Sequence, residues 1–146
     1  MRDFLHDHSL TLAAGGVLLL WIILYLVSNP STHFGNFFGN AIADWSGVVV
    51  MVVATKFMYE RGSSESRTPP PDDQGHRLLD FLRDHSLTVF LALTLVGWVY
   101  WYAHVDVNGK WGQVVGNIVS EWTQAIGMVL LTKRFIERHS KESAEE

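Results

Sequence analysis

The sequence predicts an all-α fold, a four-helix transmembrane bundle made of two tandem, parallel-oriented helical hairpin repeats. Three observations lead to this prediction. Four apolar stretches are long enough to cross a bilayer, an internal repeat relates the first two stretches to the last two, and Lys and Arg fall almost entirely on one side. About 20 helical residues at 1.5 Å each cover the hydrocarbon thickness of a membrane.

The apolar stretches give the four predicted spans. Residues 10–28 and 87–105 are nearly free of charge, and the second of them carries a crowd of Trp and Tyr at 98–102. Such aromatic side chains settle at the boundary between membrane and water. The other two spans are predicted at about 37–59 and 114–136, and each has one acid inside its apolar run.

An internal repeat divides the chain. Shifting the sequence by 77 residues aligns 3–66 with 80–143 without a gap, and about 24 of the 64 positions are identical. The predicted domains are therefore repeat 1 at 1–67 and repeat 2 at 78–146. A polar linker at 68–77 joins them, and three consecutive prolines prevent it from continuing a helix.

The basic residues predict the orientation. Ten of the 11 Lys and Arg residues lie at the termini, in the linker or beside the linker ends of the spans, and Lys110 alone lies at the opposite end. The positive-inside rule then places both termini and the linker in the cytoplasm, with the protein in the cell (plasma or inner) membrane. Both repeats would point the same way, related by a pseudo-twofold axis along the membrane normal.

Each repeat begins with the sequence Asp-His-Ser, which suits the start of a helix. We expect Ser9 and Ser86 to cap the first turn of their spans, since a serine side chain can accept bonds from free N–H groups. The neighbouring His8 and His85 are interpreted as interfacial caps in preference to ligands.

The second span of each repeat opens with Gly-x-x-x-Gly-Asn. Gly35 and Gly39 begin one small-residue stripe, and Gly112 and Gly116 begin the other. Small residues spaced by four allow helix backbones to approach closely in lipid. We therefore expect these glycines to pack against neighbouring helices, above all against each other.

One acid follows each of these motifs by four residues. Asp44 lies on the same helix face as Asn40, and Glu121 lies on the same face as Asn117. Three interpretations stay open: each acid caps a shorter helix, contacts a packing partner, or belongs to an ion or proton site formed with the two asparagines. An intramembrane carboxylate usually faces a bundle interior or a wet cavity.

Several classes of function are disfavoured. The chain has no Cys, and its formal charge of −4 argues against nucleic acid as a partner. No nucleophile–base pair, phosphate-binding loop or metal-ligand spacing is found, so the sequence predicts no catalytic residues, no metal, no cofactor and no enzyme activity.

Some blocks of the chain resemble a bacterial family of small multi-pass membrane proteins defined as a domain of unknown function. The resemblance rests on Phe-Leu-x-x-x-Ser-Leu at 4–10 and 81–87, on Trp45 and Trp122, and on the polar segment 60–67. It covers both repeats. It implies the multi-pass topology and implies no activity.

The expected function is a structural or interaction role in the membrane. The expected partners are the lipid bilayer and either a second copy of the chain or another membrane protein. The alternative is a small ion- or proton-linked transporter or channel that uses Asp44 and Glu121.

Overall fold

The computed structural model describes residues 6–66 and 77–135, and within these ranges the chain is helical, without strands. Four of the helices are long and apolar enough to cross a membrane. The five helices are α1 (Ser9–Val27), α2 (His33–Phe57), α3 (Arg77–Asp84), α4 (Ser86–His104) and α5 (Gly112–Leu131).

The four spans lie close to the predicted ones, and the largest differences are at the end of α5, which stops at Leu131 instead of 136, and at the start of α2. This helix begins at His33, four residues before the predicted start, because Thr32 caps it. The Thr32 Oγ1 accepts a hydrogen bond of 3.1 Å from the N–H of Gly35. The predicted linker lies outside the described residues except for Arg77, which opens α3.

The expected serine caps are wrong. His8 and His85 occupy the cap positions of α1 and α4, and neither side chain makes a capping bond. Ser86 instead binds the backbone of Tyr59, donating to its carbonyl at 3.1 Å and accepting from its N–H at 2.8 Å. A segment that follows α2 therefore contacts the beginning of α4.

The spans pack side by side in the order α1, α2, α5, α4. In this row α1 and α4 stand at the two ends in the part of the chain that the structure describes. Both end helices are largely unburied, whereas α2 and α5 are more enclosed. Small side chains on α2 and α5 let these two helices approach each other, and bulky aliphatic side chains of α1 and α4 remain free to face lipid.

The buried core runs along the row and includes side chains from all four spans. Trp122 of α5 is central to it, because its Nε1 donates to Thr94 Oγ1 at 2.8 Å and its ring meets that of Trp98 at 5.5 Å. These contacts join α4 to α5. The buried residues of the core are Tyr25, Ile42, Ala43, Ala54, Leu87, Leu91, Val114, Ile118, Trp122 and Val129.

The two ends of the row differ. Residues 28–32 and 105–111 form short connections at one end, which we call the loop end. The opposite end, the linker end, carries α3, the segment 58–66 and residues 132–135, which follow α5. At the linker end, Ser63 Oγ lies 2.9 Å from Thr132 Oγ1, so the segment after α2 also contacts the end of α5.

The glycine stripes pack, but not against each other as expected. A Cβ at Gly39 would lie 3.2 Å from the ring of Tyr25, and one at Gly116 would lie 2.9 Å from the ring of Tyr102. Each of these glycines therefore faces a tyrosine of the preceding span. Gly35 and Gly112 face the backbone of the preceding connection, where a Cβ at Gly112 would lie 2.7 Å from Val107 Cα.

We expect Gly112→Ala to destabilise the protein by about 1–3 kcal/mol, because the added methyl group overlaps backbone that cannot rotate away. Gly97→Ala in α4 is the matched control, since nothing lies within 4 Å of its Cβ position. Replacing a helical Gly by Ala stabilises by up to about 1 kcal/mol when space is available. Unfolding of both variants in mixed detergent micelles is the measurement. Equal stability of Gly112→Ala and wild type would show that the close approach does not exist.

Candidate functional site

One face of the α2–α5 pair is polar along more than two helical turns. Its side chains recur every four residues on each helix, which places them on a single face. The two rows meet at their middle, where Asn117 Nδ2 donates a hydrogen bond to Asn40 Oδ1. We call this the polar face, and it consists of Asn36, Asn40, Asp44, Gln113, Asn117, Ser120, Glu121 and Gln124.

Asp44 and Glu121 lie inside their helices. The helices begin at His33 and Gly112, so each acid follows its helix start by about two and a half turns or more. The interpretation in which each acid caps a shorter helix is therefore wrong. Their backbone groups already belong to continuous helix, and the carboxylates remain available for other contacts.

The carboxyl groups of Asp44 and Glu121 lie near enough to each other across the helix pair for their charges to interact. Glu121 uses space left by a glycine, since a Cβ at Gly47 would lie 3.4 Å from Glu121 Oε2. Gln124 Nε2 also donates to Glu121 Oε1 at 3.3 Å. Asp44 is exposed and Glu121 is half-buried, so the acid pair is open to whatever covers the polar face.

A cavity of about 430 Å³ lies at the loop end of the polar face. Among the described residues its lining holds four side-chain amides, one phenol and no charged group. Asn40 and Asn117 belong to the lining, while Asp44 and Glu121 lie one helical turn beyond it. The lining residues are Asn36, Asn40, Tyr102, Val107, Gly112, Gln113, Gly116 and Asn117.

A second charged cluster lies at the linker end and centres on Glu60, which is only 1% exposed. Its Oε1 lies 2.6 Å from Lys133 Nζ and 2.7 Å from His85 Nδ1. Its Oε2 accepts a bond of 3.1 Å from the N–H of Thr88 in the first turn of α4. Glu60 thus supplies the cap that the sequence assigned to Ser86, and it joins α2, α4 and α5.

These contacts determine the ionisation of Glu60. Burial on its own raises the pKa of Glu60, but the hydrogen bonds from Lys133, His85 and Thr88 outweigh it. The pKa of Glu60 is therefore lowered from its ordinary value of 4.5. Its carboxylate is charged at neutral pH and pairs with the Lys133 ammonium.

The sequence interpretation missed the Glu60 cluster, although a signal was present. Glu60, His85 and Lys133 each have an identical residue 77 positions away, namely Glu137, His8 and Lys56. In the structure Lys56 Nζ lies 2.8 Å from His8 Nδ1, which parallels the proximity of Lys133 and His85. Glu137 lies outside the described residues.

Comparison with known proteins identifies no relative. No family model, no curated protein and no solved structure matches the chain. Among residues 6–66 and 77–135, no group of three acidic or histidine side chains is placed to hold a metal ion. The polar face, its cavity and the Glu60 cluster are therefore the features from which a function can be inferred.

We expect Glu60→Gln to lower the free energy of unfolding by about 1–3 kcal/mol at pH 7, because Lys133 loses its buried partner. A lowered pKa in the folded state stabilises above pH 4.5, and this contribution is lost as pH falls through the folded value. The difference between wild type and Glu60→Gln should therefore shrink below about pH 4.5. Denaturant titrations at pH values from 3 to 8, about one unit apart, measure this difference in the free energy of unfolding.

Asp7→Asn serves as the control at the same end of the molecule, because Asp7 is an exposed acid that pairs, among the described residues, with the exposed His6. Exposed ion pairs contribute little to stability. A difference between wild type and Glu60→Gln that stays constant over the whole pH range would contradict the assigned role of the Glu60 charge.

Proposed function

We propose that this chain is a non-enzymatic, multi-pass protein of the cell membrane that binds another membrane-spanning protein through its polar face. One observation carries the proposal: Asn40, Asp44, Ser120 and Gln124 are exposed within helices that are otherwise suited to lipid. Charged and amide side chains facing hydrocarbon are expensive. A second protein surface that hydrogen-bonds to them removes this penalty.

The charge of the polar face indicates the chemistry of the partner. Asp44 and Glu121 are its two charged groups among the described residues, and both are acidic. A second copy of the chain would bring two more acids to the same place, which is unfavourable unless they are neutralised. A transmembrane helix with a Lys or Arg at that depth is complementary, so we assign the polar face to such a helix.

The topology is part of the same proposal. Two tandem hairpins, α1–α2 and α4–α5, would run parallel, with both termini and the linker in the cytoplasm. The Lys and Arg distribution supports this orientation. Equivalent contacts in the two hairpins support the repeat, since Tyr25 faces Gly39 as Tyr102 faces Gly116. The resemblance to the bacterial multi-pass family stays a prediction, and the interaction role does not depend on it.

Site-specific photo-crosslinking in intact membranes tests the interaction. A benzophenone amino acid replaces Val48, which is exposed one turn after Asp44 on the polar face. We expect one discrete protein adduct, whose captured peptide belongs to a transmembrane segment with a Lys or Arg. Val96, exposed on α4 at the end of the row, is the control position and should yield lipid adducts only.

The acids provide the second part of this test. In the Asp44→Asn/Glu121→Gln variant the adduct at residue 48 should fall about tenfold, because the charge complementarity is lost. Lipid adducts alone at residue 48 would refute the interaction. An adduct that contains a second copy of this chain would refute the proposal that the partner is a helix with a Lys or Arg.

Proton or cation transport is the second candidate, favoured by the proximity of two acids, Asp44 and Glu121, on the polar face. Two adjacent carboxylates repel each other, so a proton or cation between them is stabilised. The cavity at the loop end leads toward the pair through Asn40 and Asn117. These residues would form a polar route from one membrane surface to the acids.

Proteoliposomes that enclose a pH-sensitive dye test this candidate. If the pair carries protons, an imposed potential should acidify or alkalinise the lumen, and Asp44→Asn should reduce the initial rate by at least about tenfold, since the carrier group is gone. Asp106→Asn, at an exposed acid of the loop end, is the control. A wild-type rate equal to that of protein-free vesicles would eliminate proton transport.

A further inference from the structure

Two tyrosines 77 residues apart have different surroundings at the loop end. Tyr25 is 2% exposed, its ring meets the ring of Trp111 at 5.2 Å, and its hydroxyl donates to the carbonyl of Lys110. Tyr102 is 43% exposed and lines the cavity. One tyrosine is therefore sealed by the chain itself, and its counterpart is accessible.

The contacts that cover Tyr25 show which chemical group binds at this position. The ammonium of Lys110 lies over the Tyr25 ring at 5.1 Å, a cation–π contact. It also donates to the carbonyls of Leu26 and Ser28, at 2.9 and 3.0 Å. These carbonyls lie at the C-terminal end of α1, where the helix dipole attracts a cation. An aromatic ring beside a helix C-terminus thus forms an ammonium site.

The equivalent residues in the first repeat do not form such a seal. Lys110 and Trp111 correspond to His33 and Phe34. Phe34 is 76% exposed and packs against Phe38 within its own helix. Neither His33 nor Phe34 lines the cavity beside Tyr102. The cavity therefore lies where a lysine–tryptophan pair would sit if the two hairpins were alike.

We propose that the cavity beside Tyr102 is a binding site for a primary-amine ligand with a polar, zwitterionic body. The ammonium occupies the position at Tyr102 that Lys110 occupies at Tyr25, near the last carbonyls of α4. The inference depends on the equivalence of the two hairpins and is independent of the partner proposed for the acids.

The rest of the cavity suits the remainder of such a ligand. Asn36 and Gln113, in the first turns of α2 and α5, offer amide donors and acceptors together with the Asn40–Asn117 pair one turn further on. The side-chain N–H groups of these amides can donate hydrogen bonds to a phosphate. A volume of about 430 Å³ is within the range of small-molecule sites. Aminoethyl phosphate fits this chemistry, either as the headgroup of phosphatidylethanolamine or as the free compound.

Native mass spectrometry of the full chain in detergent is the test, with three probes added in turn. These are phosphatidylethanolamine, phosphatidylglycerol with the same acyl chains, and free phosphoethanolamine. We expect one ethanolamine-bearing ligand per chain, bound at least about tenfold more tightly than phosphatidylglycerol, which lacks the ammonium. Tight binding of the lipid alone identifies a lipid site, and equal binding of free phosphoethanolamine identifies a soluble ligand.

The double variant His33→Lys/Phe34→Trp reproduces at Tyr102 the pair that seals Tyr25. It should reduce binding of the ethanolamine probe at least about tenfold without lowering the melting temperature, because the chain then supplies its own ammonium and ring. Phe57→Trp is the control, since Phe57 is exposed at the other end of α2. Tyr102→Leu should weaken binding to a similar degree by removing the ring.

Two results would overturn the proposal. The first is equal binding of phosphatidylethanolamine and phosphatidylglycerol by the wild type. The second is unchanged ethanolamine binding in both the double variant and Tyr102→Leu.

Discussion

Contact between α2 and α5 holds the two hairpins together, because no other pair of spans from different hairpins packs extensively within the described residues. Association of helices in lipid relies on close packing and hydrogen bonds, since apolar burial provides no driving force there. Gly47 makes room for Glu121, Gly39 receives Val114, and Asn117 bonds to Asn40. The same small and polar residues that allow this approach also leave a polar face beside it. The same residues therefore bring the two helices together and leave the candidate functional side chains exposed.

The Glu60 cluster forms a second connection between the hairpins, at the linker end of the molecule. The α2–α5 crossing alone would allow one hairpin to rotate or slide against the other. Glu60 prevents this by binding the first turn of α4 and the Lys133 side chain after α5 at the same time. The Arg61 guanidinium adds a bond of 3.1 Å to Asp84 at the end of α3. With both the α2–α5 contact and the Glu60 cluster formed, the polar face has a defined shape. A site for a partner or an ion requires such a shape.

The sequence predicted what local composition controls. The positions of the four spans followed from their apolar length, and helical spacing placed Asp44 on one face with Asn40 and Glu121 on one face with Asn117. Contacts between spans were less predictable, because every lipid-facing surface is as apolar as a packed one. The mutual contact expected of the glycine stripes was wrong for this reason. Glu60 was missed because its partners His85 and Lys133 are 25 and 73 residues away, and no local pattern reports such a distance.

Many residues 77 positions apart in the sequence are identical, but some of these pairs have different surroundings in the structure. Asn40 and Asn117 hydrogen-bond to each other in the middle of the polar face. At the loop end, by contrast, His33–Phe34 and the corresponding Lys110–Trp111 differ in residue type. Lys110 is the single Lys or Arg of that end, and its ammonium is already used on Tyr25 and the end of α1. Tyr102 holds the corresponding place near the end of α4, and among the described residues no Lys or Arg lies over its ring. A ligand at Tyr102 would be recognised by the aromatic ring and by helix carbonyls. A cation or basic partner at Asp44 and Glu121 would instead be held by the charge of the acids. The two candidate sites therefore select ligands by different physical means, although they share one face.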